Sequence, residues 1–140
     1  MNADTRAPEI QPRLLIASHF YPHHSPASGY GRLCNYLPGR KLLSTDMPWQ
    51  ASREGSLPLR ISRKLFDLQI LRESRRADLL HLLYAENHTV FMVKAARRLN
   101  PSLKLVGTFH LPFGYRSVKK NLGVLRCFDG IIVLTAAHAD

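Results

Sequence analysis

Apolar residues in this chain gather into short, nearly uninterrupted runs at Leu14 to Ser18, Leu79 to Ala85, Leu103 to Phe109 and Ile131 to Thr135, with a weaker run at Lys41 to Ser44. A strand covered on both faces has no solvent side to fill with polar residues, so continuous runs of this length predict strands of a parallel sheet. Between the later runs the spacing changes to three or four residues. Ile61, Leu65, Leu68 and Leu71 predict a helix from about Ser62 to Arg76 with those side chains as its buried stripe. A second helix is expected from Glu86 or Asn87, with Asn87 as N-cap, Phe91, Ala95 and Leu99 toward the sheet, and a stop at Asn100 and Pro101. A third, over Tyr115 to Cys127, turns Val118, Leu122 and Leu125 inward and Arg116, Lys119 and Lys120 outward. Alternation of strand and helix in this order defines a doubly wound α/β domain with a mostly parallel sheet.

The polar, proline-containing residues 1–12 read as a disordered tail, and 13–140 as one folded domain. Asp46 to Pro58 has prolines, serines and glycine without periodicity and reads as an exposed excursion. With 140 residues, 45% of them apolar, a single core can form without metals or cross-links. Cys34 and Cys127 are too few and too separated for a disulfide framework or paired-cysteine zinc site, which favours a reducing compartment with both thiols at least half-buried. The opening apolar run is too short for a signal-peptide core or a membrane span, so the sequence reads as cytoplasmic. A formal charge of +10 and a pI near 10.2 favour an anionic partner without choosing among nucleotide, lipid surface, nucleic acid and phosphorylated acceptor.

Ligands of open α/β sheets bind beyond the carboxyl ends of the strands, where loops converge and helix N-termini present amide groups. Three such ends carry histidines here: His19 after the first run; Tyr84, Glu86, Asn87 and His88 after the second; His110 after the third. Gly29 and Gly31, in the loop Ser25 to Gly31, would let backbone amides approach a phosphate or a sugar, or would simply shape a long turn. The loop lies about ten residues past the strand and has Cys34 where a third glycine would stand, which argues against a dinucleotide fingerprint. His110, fixed by the following Leu111-Pro112, could donate to a sugar hydroxyl or bond a neighbouring backbone carbonyl. His19, His23 and His24 lack the spacing and the carboxylate of a zinc site. Glu86 could act as a base or as a partner of a helix dipole. There is no serine nucleophile elbow, Walker loop or paired-carboxylate motif.

In four ordered segments the chain resembles the N-terminal domain of GT-B-fold glycosyltransferases, in particular the retaining family 4. These are Arg13-Leu-Leu-Ile-Ala-Ser with Tyr21-Pro22 and the glycine loop; Ala77-Asp-Leu-Leu-His81; Leu105-Val-Gly-Thr-Phe-His110; and Phe128-Asp-Gly-Ile-Ile-Val-Leu-Thr135. The resemblance implies a Rossmann-like domain, the acceptor-side half of a GT-B fold. It implies Gly29 and Gly31 near the diphosphate of a nucleoside diphosphate sugar, His110 as the catalytic-site contact to the transferred sugar, and no metal or other cofactor. Tyr84, Asn87 and His88 would then meet a sugar or lipid-linked acceptor. It also implies a second domain holding most of the donor, so the 140 residues are expected to be a truncated fragment, inactive alone, of a retaining hexosyltransferase.

A competing reading is a non-enzymatic α/β module that holds a nucleotide or docks on an anionic membrane, at the inner face, through the basic 62–76 helix, whose Arg63, Lys64, Arg72, Arg75 and Arg76 could equally be a solvated face. Nucleic-acid binding is not expected, because aromatic and basic residues do not interleave as they do in single-strand readers.

Overall fold

Five strands and three helices are found within residues 12–19, 36–44, 57–85, 88–110 and 122–133, which the computed structural model describes. The strands are β1 (Leu14–His19), β2 (Arg40–Ser44), β3 (Leu79–Leu82), β4 (Lys104–Phe109) and β5 (Gly130–Val133). The helices are α1 (Leu57–Ser74), α2 (Val90–Leu99) and α3 (Leu122–Leu125). Every strand pair is parallel and the sheet order is β2-β1-β3-β4-β5, a Rossmann-like α/β arrangement as the alternating pattern predicts. The chain steps outward from β1 to β2, then crosses back to β3 and continues to β5. Open sheets of this kind hold their ligands where the strand order reverses, which here falls at the carboxyl ends of β1 and β3.

Helix α1 packs on α2, and α2 on α3, forming one helical layer. Under it Leu15, Ala17, Leu42, Leu80, Leu82, Leu105 and Phe109 of the sheet meet Phe66, Ile70, Met92, Val93, Ala96 and Val124 of the helices. Ile16, between Leu15 and Ala17, points to the other face and joins Leu83 and Tyr84 in a second buried cluster. Burial on both faces explains why β1 and β3 read as solid apolar runs.

The helix faces differ from the sequence expectation. Helix α1 begins at Leu57, with Pro58 tolerated in the first turn where no intrahelical donor is lost. Its buried residues are Phe66, Ile70 and Ser74, whereas of the expected stripe Ile61, Leu65 and Leu68 are exposed and Leu71 packs, half-buried, against the core. Both sets have helical spacing, so periodicity alone could not choose between them. Two inward acids set the rotation: Asp67 meets His88 and Glu73 meets Arg40 at 2.8 Å. In α2 the buried residues are Met92, Val93 and Ala96, while Phe91 and Leu99 are exposed. Its N-cap is Thr89, whose hydroxyl accepts from the Met92 amide at 3.2 Å, and not Asn87, which lies outside the described residues. Asn100 does more than end the helix: its Nδ2 donates to the carbonyls of Ser74 and Ala77 at 3.0 and 2.7 Å, joining the ends of α2 and α1. Of the third predicted helix, Leu122–Leu125 is described; Val124 is its fully buried residue, and Val118 lies outside the described set. Cys127 is half-buried, while Cys34, residues 1–11 and residues 46–56 of the expected excursion lie outside the described residues, and the excursion's last two residues, Leu57 and Pro58, open α1.

Two aspartates, each one residue before a strand, lock that strand to its neighbour. Asp78 Oδ2 accepts from the Arg13 amide at 2.7 Å while the Asp78 amide donates to the Arg13 carbonyl at 2.9 Å. Asp129 repeats the device on Leu105: Oδ2 accepts from its amide at 2.8 Å and the Asp129 amide donates to its carbonyl at 2.8 Å. Each carboxylate also takes an arginine, Arg13 at 3.0 Å and Arg97 at 2.7 Å. Both carboxyls are held below the ordinary aspartate range, Asp78 chiefly by the Arg13 side chain and Asp129 chiefly by the Leu105 amide.

Gly107 in β4 leaves space for neighbours on both sides. A Cβ there would lie 2.9 Å from the Ala85 Cβ and 3.0 Å from the ring of Phe128, which packs edge-on against Phe109 with centroids 6.0 Å apart. Gly107→Ala is therefore expected to destabilise the fold by about 1–3 kcal/mol through overpacking. Gly123→Ala, whose Cβ would meet nothing nearer than 3.5 Å, serves as the tolerated comparison in urea denaturation.

Asp129→Ala removes the acceptor of a partly buried strand amide and is expected to cost about 1–3 kcal/mol. Because the folded-state pKa of Asp129 is depressed, its contribution is present above the unfolded carboxylate pKa and is lost as pH falls through about 4 and below. The wild-type minus variant difference in unfolding free energy should shrink across that window; a difference independent of pH would refute the assignment.

Candidate functional site

The carboxyl end of β4 delivers His110, and the turn after β3 delivers Tyr84, so adjacent strand ends bring the two rings together. They stack with centroids 4.0 Å apart and planes 19° from parallel. His110 Nε2 bonds the Leu83 carbonyl. A carbonyl can only accept, so Nε2 carries the proton and the tautomer is set by the backbone. Leu83 is itself anchored, its amide donating to the Ala17 carbonyl of β1 at 2.9 Å. His110 is thus a half-buried imidazole with its orientation fixed from below by β3 and from the side by Tyr84. Of the two roles open to it from sequence, the bond to a neighbouring carbonyl is realised, and the ring still lies at the carboxyl margin of the sheet.

Tyr84 is only 8% exposed and serves first as the platform of that stack. His88 has another duty: it is 1% exposed, and its Nδ1 donates to Asp67 Oδ1 at 3.0 Å, tying the start of α2 to α1. Its ring is therefore engaged in holding the two helices together. The long-range partner that decides this, Asp67, is 21 residues upstream and carries no sequence signal for the pairing. Gly29, Gly31, Glu86, Asn87, His23 and His24 lie outside the described residues, as does the side chain of His19, which ends β1. Among the described residues no three histidine, cysteine or acidic side chains gather as a metal site would require.

His81 lies within β3. It is 7% exposed, and its Nε2 lies 2.8 Å from Thr108 Oγ1 on β4, a polar bridge across two strands. Burial pushes its imidazole below the ordinary histidine range. An open cleft of about 740 Å³ lies at the opposite, amino end of the sheet, lined by Pro12, Arg13, Pro38, Gly39, Arg40 and Glu73 among others. Arg13 and Arg40 there are engaged by Asp78 and Glu73, which leaves Arg76 as the cation of the lining with no acid beside it among the described residues. The carboxyl end, with its fixed imidazole, is the stronger site.

No protein-family model matches the chain, and no curated protein does. Among solved structures the chain is similar to a protein from Burkholderia pseudomallei that carries the provisional name of a pilus assembly-related protein, at 13% identity and a TM-score of 0.43, covering 87% of this chain and 77% of that one.

A buried histidine whose folded-state pKa is lowered takes up its proton more readily when unfolded, so stability falls as pH drops below about 6.5. Thermal unfolding between pH 8 and pH 5 should show this slope, and a His81→Asn variant, without an ionisable ring, should show less of it. An equal slope in both proteins would assign the effect to other groups.

Proposed function

We propose that this chain is the acceptor-side domain of a glycosyltransferase that takes a sugar from a nucleoside diphosphate sugar and passes it to a sugar or lipid-linked acceptor. The observation that carries this reading is the fixed His110–Tyr84 pair at the carboxyl margin of a parallel sheet, beside the switch point where such sheets hold their ligands. Added to it is the ordered resemblance of four segments to family 4 transferases.

In this reading His110, its Nε2–H held by the Leu83 carbonyl and its Nδ1 buried, contacts the transferred sugar through the rest of its ring, and its preset orientation spares the ordering cost of shaping that wall of the site. Gly29 and Gly31 give the diphosphate close access to backbone amides, and Tyr84, at the same margin, borders the acceptor. The reaction would retain anomeric configuration and use no bound metal, the leaving diphosphate being stabilised by amide dipoles and basic side chains. The site of action would be the cytoplasm or its face of a membrane.

The test is titration of the isotopically labelled chain with a panel of uridine and guanosine diphosphate hexoses and with simple glycosides, followed by amide NMR. Shifts are expected at Tyr84, His110 and the 29–31 loop, and His110→Ala should weaken them. Perturbation confined to the amino-end cleft, or none with any nucleotide or sugar, would overturn the proposal. In an enzyme carrying this domain, His110→Ala should lower kcat about a hundredfold with little change in Tm; unchanged turnover would remove His110 from the mechanism.

A further inference from the structure

The outward faces of α1 and α2 present aliphatic, aromatic and cationic side chains together, with the α1 acids turned away. Ile61, Leu65 and Leu68, at the i, i+4, i+7 positions of one helical stripe, are 50%, 61% and 60% exposed, and Phe91 on the adjoining helix is 75% exposed. Lys64 and Arg72 on α1, and Lys94 and Arg98 on α2, are exposed on the same helices. The acids of α1 are Asp67 and Glu73, whose side chains are 15% and 18% exposed and occupied by His88 and Arg40; the one cation of the patch near either is Lys64, 4.0 Å from Asp67. Helix α2 contains no acid. Large apolar side chains grouped on a surface mark an interaction site more often than single exposed ones do.

We propose that this two-helix face docks on the surface of an anionic phospholipid bilayer. Ile61, Leu65, Leu68 and Phe91 would enter the boundary between headgroups and acyl chains, while Lys64, Arg72, Lys94 and Arg98 reach the phosphates. Charge selects this occupant over a second copy of the chain, since two molecules of formal charge +10 meeting through cation-rich faces repel. The association is peripheral in kind: among the described residues no helix is long and apolar enough to cross a membrane. The observation is independent of the carboxyl-end site and stands whether or not the chain handles sugars.

Co-sedimentation of the chain with vesicles of phosphatidylcholine alone, and of phosphatidylcholine with phosphatidylglycerol, tests it. Binding is expected to the anionic vesicles, weakening with salt. The double variant Leu65→Ser/Leu68→Ser and, separately, Phe91→Ser should each lower the partition coefficient, the former about tenfold or more. Lys64→Glu/Arg72→Glu should lower it as well. All these positions are exposed, so an unchanged Tm is expected and confirms that each variant folds. Absence of binding by the wild type, or binding insensitive to the apolar substitutions, overturns the proposal. If the wild type is a dimer that Leu65→Ser/Leu68→Ser dissociates, the face belongs to a second copy and the membrane proposal falls.

Discussion

Register in this sheet rests on one repeated interaction, an aspartate just ahead of a strand that grips the amide of its neighbour. Parallel strands cannot be joined by tight hairpins, so no turn sets their alignment. Nor does the hydrophobic pattern fix it in β1, where Leu15 and Ala17 on one face and Ile16 on the other are all buried and apolar, so a slip by one position exchanges one apolar set for another. Asp78 on Arg13 and Asp129 on Leu105 supply what the pattern lacks, each through a side-chain acceptor paired with a backbone donor. One pin aligns β3 with β1 and the other aligns β5 with β4. The height at which Tyr84 meets His110 therefore depends, at β3, on Asp78 at the far end of the strand.

The strands were legible in sequence as short apolar runs, and in β1 burial on both faces leaves a signature that needs no partner to interpret, whereas β5 keeps its run although Ile131 and Ile132 are exposed. The helix faces were not, since α1 carries two stripes of similar spacing and only its long-range partners decide between them. Phe66 and Ile70 fill the space over the sheet, and Asp67 and Glu73 find His88 and Arg40, none of which periodicity can report. The same holds for the cap of α2, where Asn87 and Thr89 are both good capping residues and the local path of the chain selects Thr89. Three of the histidines likewise separate only in three dimensions. His81 bridges strands, His88 joins helices and His110, just after β4, bonds the Leu83 carbonyl.

These roles redistribute the weight of the resemblance to family 4 transferases. Two of its four segments, Ala77 to His81 and Phe128 to Thr135, contain the aspartate pins, whose function is to build a parallel sheet. Any domain that aligns its strands in this way has reason to carry such a residue at that place. The glycine of a third segment, Gly107, answers to packing, because Ala85 and Phe128 leave no room for a side chain. What the resemblance itself ties to sugar chemistry is narrower: the loop with Gly29 and Gly31, and His110.

Helix α1 connects the two ends of this reasoning. Its carboxylates are drawn inward because Arg40 on β2 and His88 at the start of α2 are there to receive them, and a charge brought toward the core must be paired. Once they are inward, Lys64 alone of the two outward cations of that face, Lys64 and Arg72, keeps an acid within 4.0 Å, and the second apolar stripe is left facing solvent. The cationic, aliphatic surface is thus a consequence of how the helix is anchored. Its low amphipathic contrast, which made the sequence ambiguous, follows from the same residues: one stripe holds the sheet, the other looks outward for a partner.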